Sequence, residues 1–354
     1  MALELYLIGT PGCGKTAVFD ALTGTPEGPH FTRRGGHRFG VVKVPDPRLE
    51  RLRDLYAPRK FTPAEVTFAD VSPPGGEAIR FGDLTPLLAN ADAFVLVLQA
   101  FGEIGRDGRP VDPAAQLESV LLELAVSDLE KVERRLERIA QERQRGQRAS
   151  EAEVRTLERC REALEANRAL REVDLSPEDD KRIRSFQFLS RKPILVVANT
   201  AESAEATVDP GPAEALARKH GIRGLRFCAP LEAEIARLDA DAQVEFLRDY
   251  GLEEPARVRL IQAAYASLRL VSFFTVGDDE VRAWTIETRA PARTAAGKIH
   301  SDIERGFIRA ETVAWDALLE AGAWSRCRER GTLRIEGADY PVRDGDVINF
   351  RFSV

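Results

Sequence analysis

Short apolar runs punctuate the chain at Leu3 to Ile8, Val41 to Val44, Val66 to Val71, Ala93 to Leu98, Ile194 to Ala198 and Leu225 to Cys228, with amphipathic segments between several of them. Apolar runs of roughly four to eight residues bounded by turn residues predict buried strands. Strands alternating with helices predict an α/β fold whose mostly parallel sheet is covered on both faces. The first run passes through a glycine-rich turn into the amphipathic stretch Lys15 to Leu22, so the chain opens as strand, loop, helix.

Between the fourth and fifth runs the period changes to that of long helices. Asp112 before Pro113 is a start signal: the carboxylate caps free N–H groups, and proline loses nothing at the first helical position. Leu122, Val126, Leu129, Val132, Leu136 and Ile139 follow at spacings of three and four, which predicts one apolar seam. Gly146 interrupts the run, Ser150 with Glu153 forms a capping box, and Val154, Leu157, Leu164 and Leu170 continue it, which predicts an antiparallel helical hairpin. Ser176 with Pro177 starts a third, short helix expected to end near Arg191. Acidic and basic residues interleave along the hairpin, as in a solvated arm with charge pairs three and four apart. Arg143, Arg145 and Arg148 at the tip fit the alternative, an arm that touches a large partner.

After Leu270 the pattern shifts to short strands, Ser272 to Val276, Val281 to Glu287, Leu333 to Glu336 and Val347 to Phe352, around a helix at Thr294 to Ile303. The expected division is therefore 1–111 with 192–270 as a discontinuous α/β domain, 112–191 as a helical insertion, and 271–354 as a small α+β module.

Composition narrows this. A chain of 354 residues with 44% hydrophobic and 31% charged residues is of the globular class, and its apolar runs are far too short to span a bilayer. The first residues carry Glu4 and no basic leader, so no signal peptide is expected and the cytoplasm is the expected location, with a monomer as the expected state. Four cysteines, at 13, 160, 228 and 327, are too scattered for a disulfide framework or a short-spaced zinc site. A net charge of -6 gives no global attraction to nucleic acid, so any RNA contact is local.

Gly9-Thr10-Pro11-Gly12-Cys13-Gly14-Lys15-Thr16 fits G-x-x-x-x-G-K-[ST] in full, between a strand and a helix as that motif requires. Its glycines let the backbone form a nest of N–H donors for phosphate oxygens. Lys15 reaches the outer phosphates and the Thr16 hydroxyl ligates Mg²⁺. The expected phosphate contacts are Gly9, Pro11, Gly12, Cys13, Gly14, Lys15, Thr16 and Ala17. Asp70, at the end of an apolar strand, is the second Mg²⁺ candidate. Beyond a later buried strand, Asn199 and Glu202 stand where open α/β sheets bind ligands. A guanine-binding site carries N-K-x-D here; Thr200 and Glu202 depart from it, and Asn199 matches the N6 donor and N7 acceptor of adenine.

Further strings accompany these motifs: Gly40-Val41-Val42, Val44-Pro45-Asp46-Pro47-Arg48-Leu49, Asp128-Leu129-Glu130-Lys131-Val132-Glu133, Ser272-Phe273-Phe274-Thr275-Val276-Gly277, Glu280-Val281-Arg282-Ala283-Trp284-Thr285-Ile286 and Ala295-Ala296-Gly297-Lys298-Ile299-His300-Ser301-Asp302. With them the chain resembles the YchF/Obg-like ATPases over nearly its whole length, as a divergent member. The resemblance implies a P-loop domain interrupted by a coiled-coil arm, a C-terminal β-grasp (TGS) domain, ATP preferred over GTP, and association with ribosomes or RNA through arm and TGS domain. It also places Cys228, Ala229 and Pro230 beside the base.

The sequence leaves the family pattern at several points. Gly12 stands where the family carries an asparagine linked to potassium-assisted catalysis. The family's D-x-x-G reads Asp70-Val71-Ser72-Pro73, and a proline has no N–H to give a γ-phosphate. The segment Pro74 to Gly82 is shorter than the family's switch. The switch threonine falls on Arg34, with Thr32 nearby, and Arg33 or Arg34 is a candidate phosphate contact. Three functions follow: a slow Mg-dependent ATPase switch, a nucleotide-binding scaffold without efficient hydrolysis, and a GTPase. No general base is legible.

Overall fold

A computed structural model describes residues 3–24, 31–34, 37–71, 86–146, 150–203 and 208–353, with backbone only at 31–34 and 240. The expectations for Ser72, Pro73, Pro74 to Gly82 and Arg148 lie outside the described residues, as do the side-chain roles expected of Thr32, Arg33 and Arg34. The chain forms two compact units, Leu3–Val42 with Thr67–Leu260, and Lys43–Val66 with Ile261–Val354.

The larger unit is built on a seven-stranded sheet. Its strands are β1 (Leu3–Ile8), β2 (Phe31–Arg34), β3 (His37–Lys43), β5 (Glu65–Asp70), β6 (Ala93–Ala100), β7 (Ile194–Thr200) and β8 (Arg223–Phe227), in the order β2-β3-β5-β1-β6-β7-β8. Pairing is parallel from β1 through β6 and β7 to β8, while β2 and β3 form an antiparallel hairpin. Every residue of β6 is buried, the signature of a central strand covered on both faces. Tyr6, Ile8, Phe94, Leu96 and Leu98 pack with Leu117, Val120 and Leu124 of the long helix Pro113–Gln144.

That helix starts as its sequence requires: the Asp112 side chain accepts from Ala114 N and Ala115 N at 2.9 and 3.0 Å. The single seam expected along it is corrected at its start. Leu122 and Val126 are 50% and 45% exposed, because this half turns the offset stripe Leu117, Val120 and Leu124 to the sheet. The second half behaves as a hairpin arm: Val132 and Ile139 are buried, with Leu129 and Leu136 beside them, against Val154, Leu157 and Cys160 of the returning helix Glu151–Glu165. Ser150 caps that helix by accepting from Glu153 N at 3.4 Å. The Glu153 carboxylate does not close the reciprocal half of the box; it takes both ends of the Arg135 guanidinium at 2.8 and 3.0 Å across the hairpin. At the tip Arg143 pairs with Glu151 at 2.6 Å. The third helix ends earlier than expected: Pro177–Ile183 passes through a tight turn, Arg184–Phe186, to Gln187 in the left-handed region at φ 48°.

The buried Asp128 ties the arm's base to the chain returning toward β7. Its carboxylate accepts from Leu189 N and Ser190 N at 2.8 and 2.7 Å, with Lys131 Nζ at 3.7 Å. Burial pushes the Asp128 carboxyl up from its ordinary value, against the pull of those donors and of Lys131.

The smaller unit holds a six-stranded sheet ordered β12-β11-β13-β9-β10-β4: β4 (Lys60–Thr62), β9 (Leu270–Thr275), β10 (Glu280–Glu287), β11 (Phe307–Ala314), β12 (Arg334–Glu336) and β13 (Asp346–Phe352). The helix expected at Thr294 to Ile303 is two, Ala292–Ile299 and Ser301–Arg305, separated by His300 in extended conformation, whose Nδ1 accepts from Asp302 N at 3.1 Å. Residues 43–66, expected with the nucleotide-binding domain, lie in this unit instead. β4 extends the sheet by pairing parallel with β10, and Leu49 and Leu52 are buried with Phe274, Val313 and Val347. A local reading of periodicity has no access to such long-range pairing. Among the described residues, no helix is long and apolar enough to cross a membrane.

Candidate functional site

The loop 9–14 leaves the C-terminal end of β1 and runs into the helix Lys15–Thr23, whose first N–H groups have no partner inside the helix. Gly14 shows why this turn demands glycine. Its φ is +86°, and a Cβ placed there would sit 2.2 Å from Asn199 Nδ2. The Lys15 ammonium folds over the loop and donates to Gly9 O at 2.9 Å and Thr10 O at 3.2 Å, so a cation already stands at the mouth of the cradle. Thr16 and Ala17 are exposed there, as are Pro11 and Gly12. Cys13 is fully buried, and burial pushes its thiol up, away from the reactive thiolate.

Thr16 Oγ1 donates to Asp70 Oδ2 at 2.9 Å, which brings together the end of β5 and the first turn of the helix. The pair offers hard oxygen atoms, the donor chemistry Mg²⁺ prefers, and it fits an ion held by a hydroxyl and a carboxylate with water and phosphate completing the shell. Arg38 of β3 was not anticipated by sequence reasoning. Its guanidinium lies 3.8 Å from Asp70 Oδ2, pairs with Asp20 and stacks 4.7 Å above the Phe19 ring. Alternation along β3 placed Arg38 on the same face as Gly40, a signal too weak to single it out.

On the opposite flank Asn199, 3% exposed, braces the loop. Its Nδ2 donates to Cys13 O at 3.2 Å and its Oδ1 accepts from Ala229 N at 3.3 Å. One donor and one lone pair of the amide are thereby used, leaving one of each for a ligand. Cys228 precedes the helix Ala229–Ile235, and Pro230 occupies its first turn without loss of a hydrogen bond. Burial raises the Cys228 thiol, with the Glu202 carboxylate adding to the effect, which places Glu202 electrostatically near that turn. The Phe101 ring edge is 3.5 Å from the Cβ position of Gly14, an aromatic neighbour the sequence reading missed. Also missed was a cavity of about 540 Å³ beside Thr10 and Pro11, walled by Arg106, Arg109 and Gln116.

A parallel sheet whose first strand ends in this loop, with lysine, threonine and a strand-end aspartate converging on it, defines a P-loop nucleotide-binding fold carrying a helical arm and a C-terminal β-grasp module. Relatives named "Ribosome-binding ATPase YchF" match it over the full length of both chains, at 36% identity over 369 residues in Bacillus subtilis and 37% over 366 residues in Escherichia coli. The chain belongs to the YchF family. A family model named YchF-GTPase_C, described as a protein of unknown function (DUF933), matches residues 270–353. The solved Schizosaccharomyces pombe YchF GTPase superposes with a TM-score of 0.84 at 25% identity, covering 99% of this chain and 97% of that one. A GTP binding protein from Pyrococcus horikoshii OT3, at 17% identity and a TM-score of 0.62 over 99% of this chain and all of its own, shares the fold.

Proposed function

We propose that this chain binds ATP with Mg²⁺ at residues 9–17 and hydrolyses it slowly, as a ribosome-associated switch in the cytoplasm. The observation that carries this reading is the convergence of Lys15 Nζ on the loop carbonyls with the 2.9 Å contact of Thr16 and Asp70. In this reading the loop amides hold the phosphates, and Lys15 exchanges its carbonyl contacts for phosphate oxygens. Thr16 and Asp70 hold the metal, which when bound neutralises charge on the outer phosphates. Glu202 and the turn Cys228, Ala229 and Pro230 flank the base, with the free donor and lone pair of Asn199 matching adenine better than guanine. Phosphoryl transfer depends mainly on positioning and electrostatics, so a slow rate is compatible with the lack of a recognisable general base.

The arm, 112–191, and the module 271–354 are the proposed partner surfaces, the ribosome being the partner named for the bacterial relatives. GTP is the second reading, favoured by the GTPase and GTP-binding names of the solved relatives. Competition between ATP and GTP for one fluorescent nucleotide ranks the two: ATP should displace it at lower concentration, and the reverse order would transfer the assignment to GTP. Co-sedimentation with ribosomal particles, with and without ATP, tests the partner; equal absence from the pellet in both states would remove it.

A further inference from the structure

We infer that Arg106 completes the phosphate site from within the chain, its guanidinium pairing with the terminal phosphate of a bound nucleoside triphosphate. The inference rests on the reading of residues 9–17 as a triphosphate cradle. Gly12 has a φ of +87°, and a Cβ built on it would lie 3.0 Å from Arg106 Cβ, 3.9 Å from Cγ and 3.7 Å from Cδ. The arginine stem therefore packs on the bare face of the loop residue, and any side chain at Gly12 would push it away.

What presents Arg106 is a small, internally bonded hairpin. Ile104 and Pro110 form an isolated antiparallel bridge. Gly105 N donates to Arg109 O at 2.7 Å, Gly108 N to Gly105 O at 3.0 Å and Val111 N to Glu103 O at 2.9 Å. The Asp107 carboxylate, the nearest acidic neighbour in sequence, accepts from Arg109 N at 3.1 Å within the hairpin and shares the cavity lining with Arg106. Arg106 is exposed, and among the described residues its guanidinium has neither a hydrogen bond nor an ion pair. It lines the 540 Å³ cavity that also touches Thr10 and Pro11, so open space joins the cation to the phosphate loop. The opposite wall is pinned: Gln116 Oε1 accepts from Gln99 N at 2.8 Å and from Thr10 Oγ1 at 3.3 Å. Arg109 adds a second cation to this rim; Asp107 and Asp112 line it too, and each carboxylate accepts from backbone N–H groups.

A planar guanidinium matches phosphate oxygens with paired, charge-assisted hydrogen bonds, and an arginine supplied in cis is one of the known ways to stabilise a terminal phosphate. A nucleoside diphosphate lacks that group, so the prediction is a discrimination between ligands rather than a general loss. Titration calorimetry of the full chain with Mg²⁺ compares a β,γ-non-hydrolysable ATP analogue with ADP, in wild type, Arg106→Ala and Arg106→Lys. Affinity of Arg106→Ala for the analogue should fall by about tenfold or more while its affinity for ADP stays within about twofold, with Arg106→Lys recovering part of the loss. An unchanged analogue affinity, or an equal loss for both ligands, overturns the role of Arg106 and leaves the cradle standing, provided Lys15→Ala abolishes binding. If wild type binds neither ligand, the cradle falls, and the inference with it.

Discussion

Asn199 illustrates how one side chain serves the scaffold and the ligand together. It was read from the sequence as a base contact, and the structure adds a second task, bridging Cys13 O and Ala229 N. Replacing it with alanine leaves both buried groups without a partner, at a cost of about 1–3 kcal/mol. Asn199→Ala should therefore lower the thermal midpoint and nucleotide affinity together; lost affinity at an unchanged midpoint would confine Asn199 to ligand contact. Gly14→Ala tests the turn. The new methyl meets Asn199 Nδ2 at 2.2 Å on a left-handed backbone, so chemical denaturation should show a loss of about 2 kcal/mol or more. Gly14 was legible because the phosphate motif is contiguous and its geometry is fixed by residue type, and Asn199 because it stands at the end of a buried strand, where open α/β sheets bind ligands. Arg38, Phe101 and Arg106 were not, since each reaches the loop from a different element.

At the scale of elements, the arm is held by polar groups as much as by its apolar seam. The Arg135 guanidinium beside Glu153 holds that carboxyl below its ordinary range. A depressed carboxyl contributes stability that is complete above the unfolded value, roughly pH 4.3, and is lost as pH falls through the folded value. Proteolysis of the arm should accelerate on acidification through that window, and in Arg135→Ala the acid dependence should weaken; an unaltered profile would mean the pair contributes nothing. Asp128→Asn keeps only one acceptor oxygen for the amides of Leu189 and Ser190. The expected loss is about 1–3 kcal/mol, with hydrogen exchange rising first at those two amides. The caps at Asp112, Ser150 and Ser176 were readable because capping is local. The outward turn of Leu122 and Val126 was not, because which stripe of a long helix is buried depends on the surface it meets.

For the whole molecule, the segment 43–66 is the main lesson. Its helix Pro47–Tyr56 buries Leu49 and Leu52 in the unit formed by the C-terminal residues, and Arg48 donates to Asp344 at 2.7 Å. The motif around Asp46 was visible in the sequence, while its partner, almost 300 residues away, was not. A chain truncated after residue 270 should thus expose Leu49 and Leu52 and bind a hydrophobic dye, and Leu49→Asp/Leu52→Asp in the same truncation should bind less of it. Dye binding equal in both would place those leucines elsewhere. The central claim, that the first loop cradles a nucleoside triphosphate, is met most directly by calorimetric titration of the full chain with Mg-ATP. Wild type should bind one equivalent, and Lys15→Ala, folded to the same thermal midpoint, should show no heat up to about 1 mM ligand, the range of very weak binding. Equal binding by the two proteins, or none by wild type, would contradict the account.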